Sequence, residues 1–140
     1  MKFKIILFTL TALYSTCQSQ RRNDFPDSDK IPNCDLIKKG TFSRDEKGNS
    51  GFKVKFNNNK MTEIYGRKTV TIESDIKMLS KCKFEAEIKN IKTKYKMLDS
   101  LFYVGKKTEY EVVETGKNYI IYEYWCNEGK NICSEILEKK

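Results

Sequence analysis

The chain has 140 residues, with 27 Lys and Arg against 19 Asp and Glu and a formal net charge of +8. It contains no histidine, which removes the commonest general base and the commonest metal ligand, and with them any Ser-His-Asp triad. No two cysteines stand in CxxC spacing, so a structural zinc site is not expected either.

Residues 1–17, MKFKIILFTLTALYSTC, begin with Lys2 and Lys4, continue as an apolar run from Ile5 to Tyr14, and end in small residues before Cys17. Charged, then apolar, then small is the layout of a secretory signal peptide. The run is shorter than the ~20 residues a spanning helix needs. Export follows, with acylation of Cys17 as the leading fate and a membrane-anchored lipoprotein of the cell envelope as the product. Tyr14, Ser15 and Thr16 match a lipobox loosely, and cleavage after Cys17 or Ser19 would instead release a soluble secreted protein. Loss of Lys2 and Lys4 leaves 25 basic against 19 acidic residues, or +6. Those charges are interleaved from Lys38 to Lys140 and read as a solvated surface rather than a nucleic-acid site.

Residues 18–33 are polar, hold both prolines and read as a flexible tether. Asp24, Asp27 and Asp29 lack the glycine and distal glutamate of a calcium loop. Residues 34–140 are expected to form one domain. Phe52, Val54 and Phe56 alternate with Lys53 and Lys55, the pattern of a half-buried strand. Asn57, Asn58 and Asn59 follow as a turn before KMTEIYG. Val70 and Ile72 continue the alternation, and YEVVE, TGKN and YIIYEYWC read as a hairpin around Gly116. Ile132 to Leu137 is the last strand. The fold class is mostly β: an antiparallel meander forming a small barrel or a strongly curved sheet.

The segment 82–102 carries two patterns. Phe84, Ile88, Ile91, Tyr95, Leu98 and Phe102 follow helical spacing. Cys82, Phe84, Ala86 and Ile88 also alternate with charged residues as in a strand. A strand at 82–88, then a loop or one short helix at 93–101, is the favoured reading.

Five cysteines are present. With Cys17 cut away or acylated, Cys34, Cys82, Cys126 and Cys133 remain for two disulfides. Cys126 and Cys133 flank a turn-rich NEGKNI stretch and could face each other across a hairpin; Cys34 with Cys82 then follows.

CDLIKKGTF from Cys34, NNNKMTEIYG and SDIKMLSKCKFEAEI, set between a lipoprotein-like leader and a closing strand pair, resemble small exported proteins of Bacteroidota, flavobacterial in type. The resemblance covers about residues 34–137 and implies a β-rich fold. That family has no established activity, so it implies no catalytic residues.

Tyr65, Tyr103, Tyr110, Tyr119, Tyr122, Tyr124 and Trp125 form an aromatic set. In a closed barrel Tyr110, Tyr122, Tyr124 and Trp125 are candidates to line a ligand pocket. The run from Tyr119 to Trp125 is apolar at most positions, which suggests a strand covered on both sides. Glu85 with Glu87, and Glu109, Glu111 and Glu114, are paired carboxylates of the kind glycosidases use, but their alternation with apolar residues argues for exposure. Lys92, Lys94 and Lys96 would form a basic ridge that guards a strand edge. No enzyme activity, cofactor or metal is expected. The function read from the sequence is an exported binding or structural module with a protein or envelope partner. A lipocalin-like carrier of a small apolar ligand and a secreted inhibitor are the alternatives.

Overall fold

The computed structural model of the protein describes residues 25–44, 51–95, 102–126 and 129–140. Eight antiparallel strands run in sequence order around a closed barrel: β1 (Lys39–Ser43), β2 (Lys53–Asn57), β3 (Lys60–Tyr65), β4 (Val70–Met78), β5 (Lys83–Thr93), β6 (Lys107–Gly116), β7 (Tyr119–Cys126) and β8 (Asn131–Lys139). Closure comes from β1 against β8, where Phe42 faces Lys139 and Ser43 faces Glu138. A 3-10 turn, Cys34–Ile37, is the only helical element among the described residues longer than a single residue.

Alternation decides the inside. Phe42, Val54, Phe56, Met61, Phe84, Ala86, Val112, Ile120 and Leu137 are buried and pack as one core. Lys53 and Lys55, between those positions on β2, stay exposed. Outward carboxylates meet lysines on neighbouring strands, as with Glu109 and Lys83, Glu85 and Lys107, and Glu73 and Lys92. Such exposed pairs contribute little each, but they make the described outer face one for water rather than for lipid. Glu85, Glu87 and Glu109 therefore sit where the alternation puts them, whereas Glu114 does not: it is buried and accepts a hydrogen bond from the Tyr119 hydroxyl.

The turns follow their residues. Asn58 and Asn59 join β2 to β3 with φ of 44° and 62°, the two-residue turn whose twist suits a hairpin and whose left-handed backbone asparagine accepts. The helical spacing in 82–102 has a different cause. β5 is a strand throughout, but Glu73 and Ser74 on β4 face Asn90 and Ile88, so Lys89 is an extra residue. This bulge flips the side-chain parity. Ile88, opposite Ser74, and Ile91, opposite Ile72, then share the inner face three residues apart, which imitates a helix. Of the short helix expected at 93–101, Thr93 ends β5 and Lys94 and Tyr95 form a bend; positions 96–101 lie outside the described residues.

The strand ends define two ends of the barrel. At one, Cys34 and Ile37 of the 3-10 turn are buried against the core and plug the floor. Residues 25–33, expected as part of a tether, run here too. Asp29 donates its N–H to the Thr115 carbonyl, Asn33 donates its N–H to the Thr115 hydroxyl, and that hydroxyl donates to Asp29 Oδ2. The approach is close enough that a Cβ on Gly116 would lie 2.7 Å from the Asp27 carbonyl oxygen. Polar residues can hold this strap because the Asp29 and Asn33 N–H groups find partners on β6 as they leave water.

Both disulfides match the expected pairing. Cys34–Cys82 fastens the floor turn to the β4–β5 connection, and Cys126–Cys133 spans β7 and β8 at the other end. The first closes 48 residues and the second 7. In the chain-entropy argument they contribute about 4 and about 2.5 kcal/mol respectively. Urea unfolding should therefore show Cys34→Ala/Cys82→Ala losing more stability than Cys126→Ala/Cys133→Ala. The reverse order would mean that the floor turn is held by packing and not by its covalent bond.

Candidate functional site

At the opposite end of the barrel, where β1, β3, β5 and β7 finish, the described residues leave a recess. A cavity of about 1350 Å3 enters the barrel there. Eight strands give an interior that side chains can fill or that can hold one small ligand. Here side chains fill the lower half and a recess lies above them. Phe56 meets Phe42 and Phe84 edge-on, with ring centroids 6.1 and 6.0 Å apart, and the three fill the lower half. Above them Phe84 stacks on Tyr110 at 5.1 Å. Tyr110 in turn contacts Tyr122 edge-on at 5.4 Å and Tyr124 at 5.3 Å.

Register explains why these tyrosines converge. Tyr110 lies opposite Phe84 on one side and Tyr124 on the other, and Val112 lies opposite Tyr122. Residues opposite each other share a face, so an inward phenylalanine on β5 carries the tyrosines of β6 and β7 inward with it. Of the residues expected to line a pocket, Tyr110, Tyr122 and Tyr124 are brought together at the cavity wall. Trp125 falls between them in parity. It lies opposite Ile132 on the outer face, is 57 % exposed, and borders the mouth from outside. The outer side of β7 is thus only partly covered: Ile121 is buried, Trp125 is not.

Several wall residues come from strands that the aromatic pattern did not single out. Glu63 on β3 alternates with Met61 and Tyr65, both turned to the interior, and is itself only 8 % exposed. Tyr65 donates its hydroxyl to Glu63 Oε1 at 3.2 Å. On β8, Glu135 lies opposite Tyr122 and takes an ion pair from Arg44, whose guanidinium also sits 5.5 Å over the Phe52 ring. Lys106 stands at the mouth, its ammonium 5.5 Å over the Phe102 ring. Glu63 and Glu135 lie in stretches read as strands from the sequence, whereas Arg44 and Lys106 lie just outside strands. A carboxylate at an inward position, as in Met61-Thr62-Glu63-Ile64-Tyr65, is the signal that identifies such a residue.

Electrostatics separates the two carboxylates. Burial pushes the Glu63 carboxyl up to about 7, and the nearby Glu135 pushes the same way. The Tyr65 hydrogen bond and the Lys106 charge oppose this without cancelling it. Among the described residues no Lys or Arg makes an ion pair with Glu63. Burial also raises Tyr65, Tyr110, Tyr122 and Tyr124, with Glu63 adding to each, so all four phenols stay protonated. The wall therefore offers hydroxyl donors and aromatic faces around one carboxyl whose charge is in balance near neutral pH.

The cysteines lie apart from this constellation, except that Cys126 touches the rim of the cavity. Cys17 lies outside the described residues, as do Asp24 and Lys96. Asp29 is taken up by the strap, and Lys92 by Glu73. Among the described residues no group of three acidic or sulfur side chains is placed to hold a metal ion. No protein-family model matches the chain, and no curated protein or solved structure is found to match it.

Glu63 also links the site to stability. Between its ordinary 4.5 and about 7, the folded protein keeps a proton that the unfolded chain has released. The stabilisation from that proton is complete below pH 4.5 and is lost as pH rises through 7, amounting to about 3 kcal/mol. Glu63→Gln should remove this slope. Urea denaturation at pH 5 and pH 8 should find the variant gaining on the native chain by about 2 kcal/mol at the higher pH. An offset identical at both pH values would show that Glu63 keeps an ordinary pKa.

Proposed function

We propose that the protein is an exported, non-catalytic carrier that holds one small amphipathic molecule in the cup of its barrel. The observation that carries this reading is the cavity itself. Its volume of about 1350 Å3 extends from the barrel interior over the rim to the outward Lys107, Glu109 and Trp125, which leaves room inside for a molecule on the scale of the ~300–1,000 Å3 of most small-molecule sites. Its lining mixes aromatic rings, among them Phe52, Tyr65, Tyr110, Tyr122 and Tyr124, with charged side chains such as Glu63, Glu135, Arg44 and Lys106, and such a mixture can combine affinity with orientation. The packed phenylalanine floor and the disulfide at Cys34 keep the other end shut.

Two disulfides support residence in an oxidising compartment, and the leader sequence supplies the route. Acylation of Cys17 would hold the carrier at a membrane surface. A non-catalytic role agrees with a chain that has no histidine and whose cavity carboxylate Glu135 is engaged by Arg44.

The mature protein, unfolded and refolded to strip any bound molecule, should bind the neutral fluorescent probe N-phenyl-1-naphthylamine saturably at one site per chain. Thr108, opposite the inward Ala86, lines the cavity. Thr108→Trp should fill the cup and weaken the probe at least about tenfold, the scale expected for ~1.4 kcal/mol. Unsaturable binding, or binding indifferent to that substitution, would refute the carrier reading.

A further inference from the structure

The interior charges of the cup are unequally matched. Glu135 on β8 has its cation, Arg44. Glu63 on β3 is more than nine-tenths buried, lines the cavity, and has the Tyr65 hydroxyl as its partner and no ion pair among the described residues. A carboxyl held this way lacks the positive charge that buried carboxylates ordinarily require. Tyr65, Tyr110, Tyr122 and Tyr124 line the same cavity, and aromatic rings attract an organic cation through the ring quadrupole.

We propose that the cup selects an amphipathic organic cation, an alkyl- or aryl-substituted ammonium, whose charged head pairs with Glu63 within the tyrosine wall. This deepens the carrier reading and rests on it. The apolar body of the ligand lies against Phe52 and Phe102 toward the mouth, and the head replaces the proton that Glu63 keeps in the empty cup. The groups that face Glu63 are Tyr65 on its own strand, Tyr110 on β6, Tyr122 and Tyr124 on β7, Glu135 on β8, Arg44 after β1 and Lys106 before β6. Arg44 is neutralised by Glu135. Lys106 is a like charge for the ligand and the weakest of the influences on Glu63, and Lys107 and Lys130 also border the cavity. Lys106 stands over Phe102 at the mouth, so an entering ammonium passes it and reaches an interior where the carboxyl governs.

Three ten-carbon probes separate the charge term from the cavity: decyltrimethylammonium, decanol and decanoate, each titrated calorimetrically into the refolded mature protein. The quaternary cation has no proton of its own, so any proton released comes from the protein. At pH 6 its binding should release close to one proton per ligand, read from buffers of different ionisation enthalpy, and at pH 8.5 almost none. Its affinity should rise severalfold to about tenfold per pH unit from pH 5 toward 7 and then level off. It should exceed the affinity for decanoate at pH 8 by at least about tenfold. Glu63→Gln, checked for a native circular dichroism spectrum, should lose about tenfold or more for the cation and leave decanol within about twofold. Should that variant fail to fold, proton release by the native chain still decides the matter. Equal binding of all three probes with no proton release would overturn the cation assignment and leave the carrier reading standing. Binding of none of them would overturn both.

Discussion

Were the seam between β1 and β8 to open, Phe42 and Leu137 would face water and the cup would cease to exist. That seam is a short pairing, Phe42 with Lys139 and Ser43 with Glu138, yet it turns a curved sheet into an enclosure. An open sheet of eight strands would expose two edges and one apolar face. Closure removes both edges at once. It also sets the radius that lets phenylalanines meet across the lower half and leaves room above them. Arg44, next after β1, reaches Glu135 on β8, so the same seam also assembles the ion pair at the cavity wall.

The layered interior divides stability from recognition. Below, rings and aliphatic side chains are packed against each other and against the floor turn, where each fully buried large side chain contributes about 1.5–3 kcal/mol. Above, the wall keeps polar groups that cost stability. Glu63 is the clearest instance, a carboxyl retained at an inward position where a hydrophobic residue would pack without desolvation cost. Residues kept against the interest of folding are where function is to be sought. The tyrosines are of mixed character, since their rings fill the wall while their hydroxyls remain available as donors.

Much of the barrel was legible from alternation alone. Phe52, Val54 and Phe56 on β2, and the Asn58–Asn59 turn, are local features whose physics acts within a few residues. The pairing of Cys126 with Cys133 was legible for the same reason. What misled was non-local. The bulge at Lys89 arises from how β5 fits β4, and no single strand reveals it. Trp125 was grouped with Tyr124 because both are aromatic, although adjacent residues on a strand face opposite ways. The strap over residues 25–33 looked too polar to pack, because its partners, Thr115 and Gly116, lie more than 80 residues on. Glu63 and Glu135 were within reach of a stricter reading of parity, which attends to charged residues at inward positions as closely as to apolar ones.

The strap gives the molecule a direction. Phe25 packs against Tyr119, and Ser28 bridges to Gly116, both beside the floor and away from the mouth. Everything upstream therefore joins the barrel at its blind end. If Cys17 carries a lipid, as proposed, the chain coming from that anchor meets the barrel on the side of its floor. On the carrier reading proposed above, the incoming chain and the cargo would then approach the barrel from opposite ends.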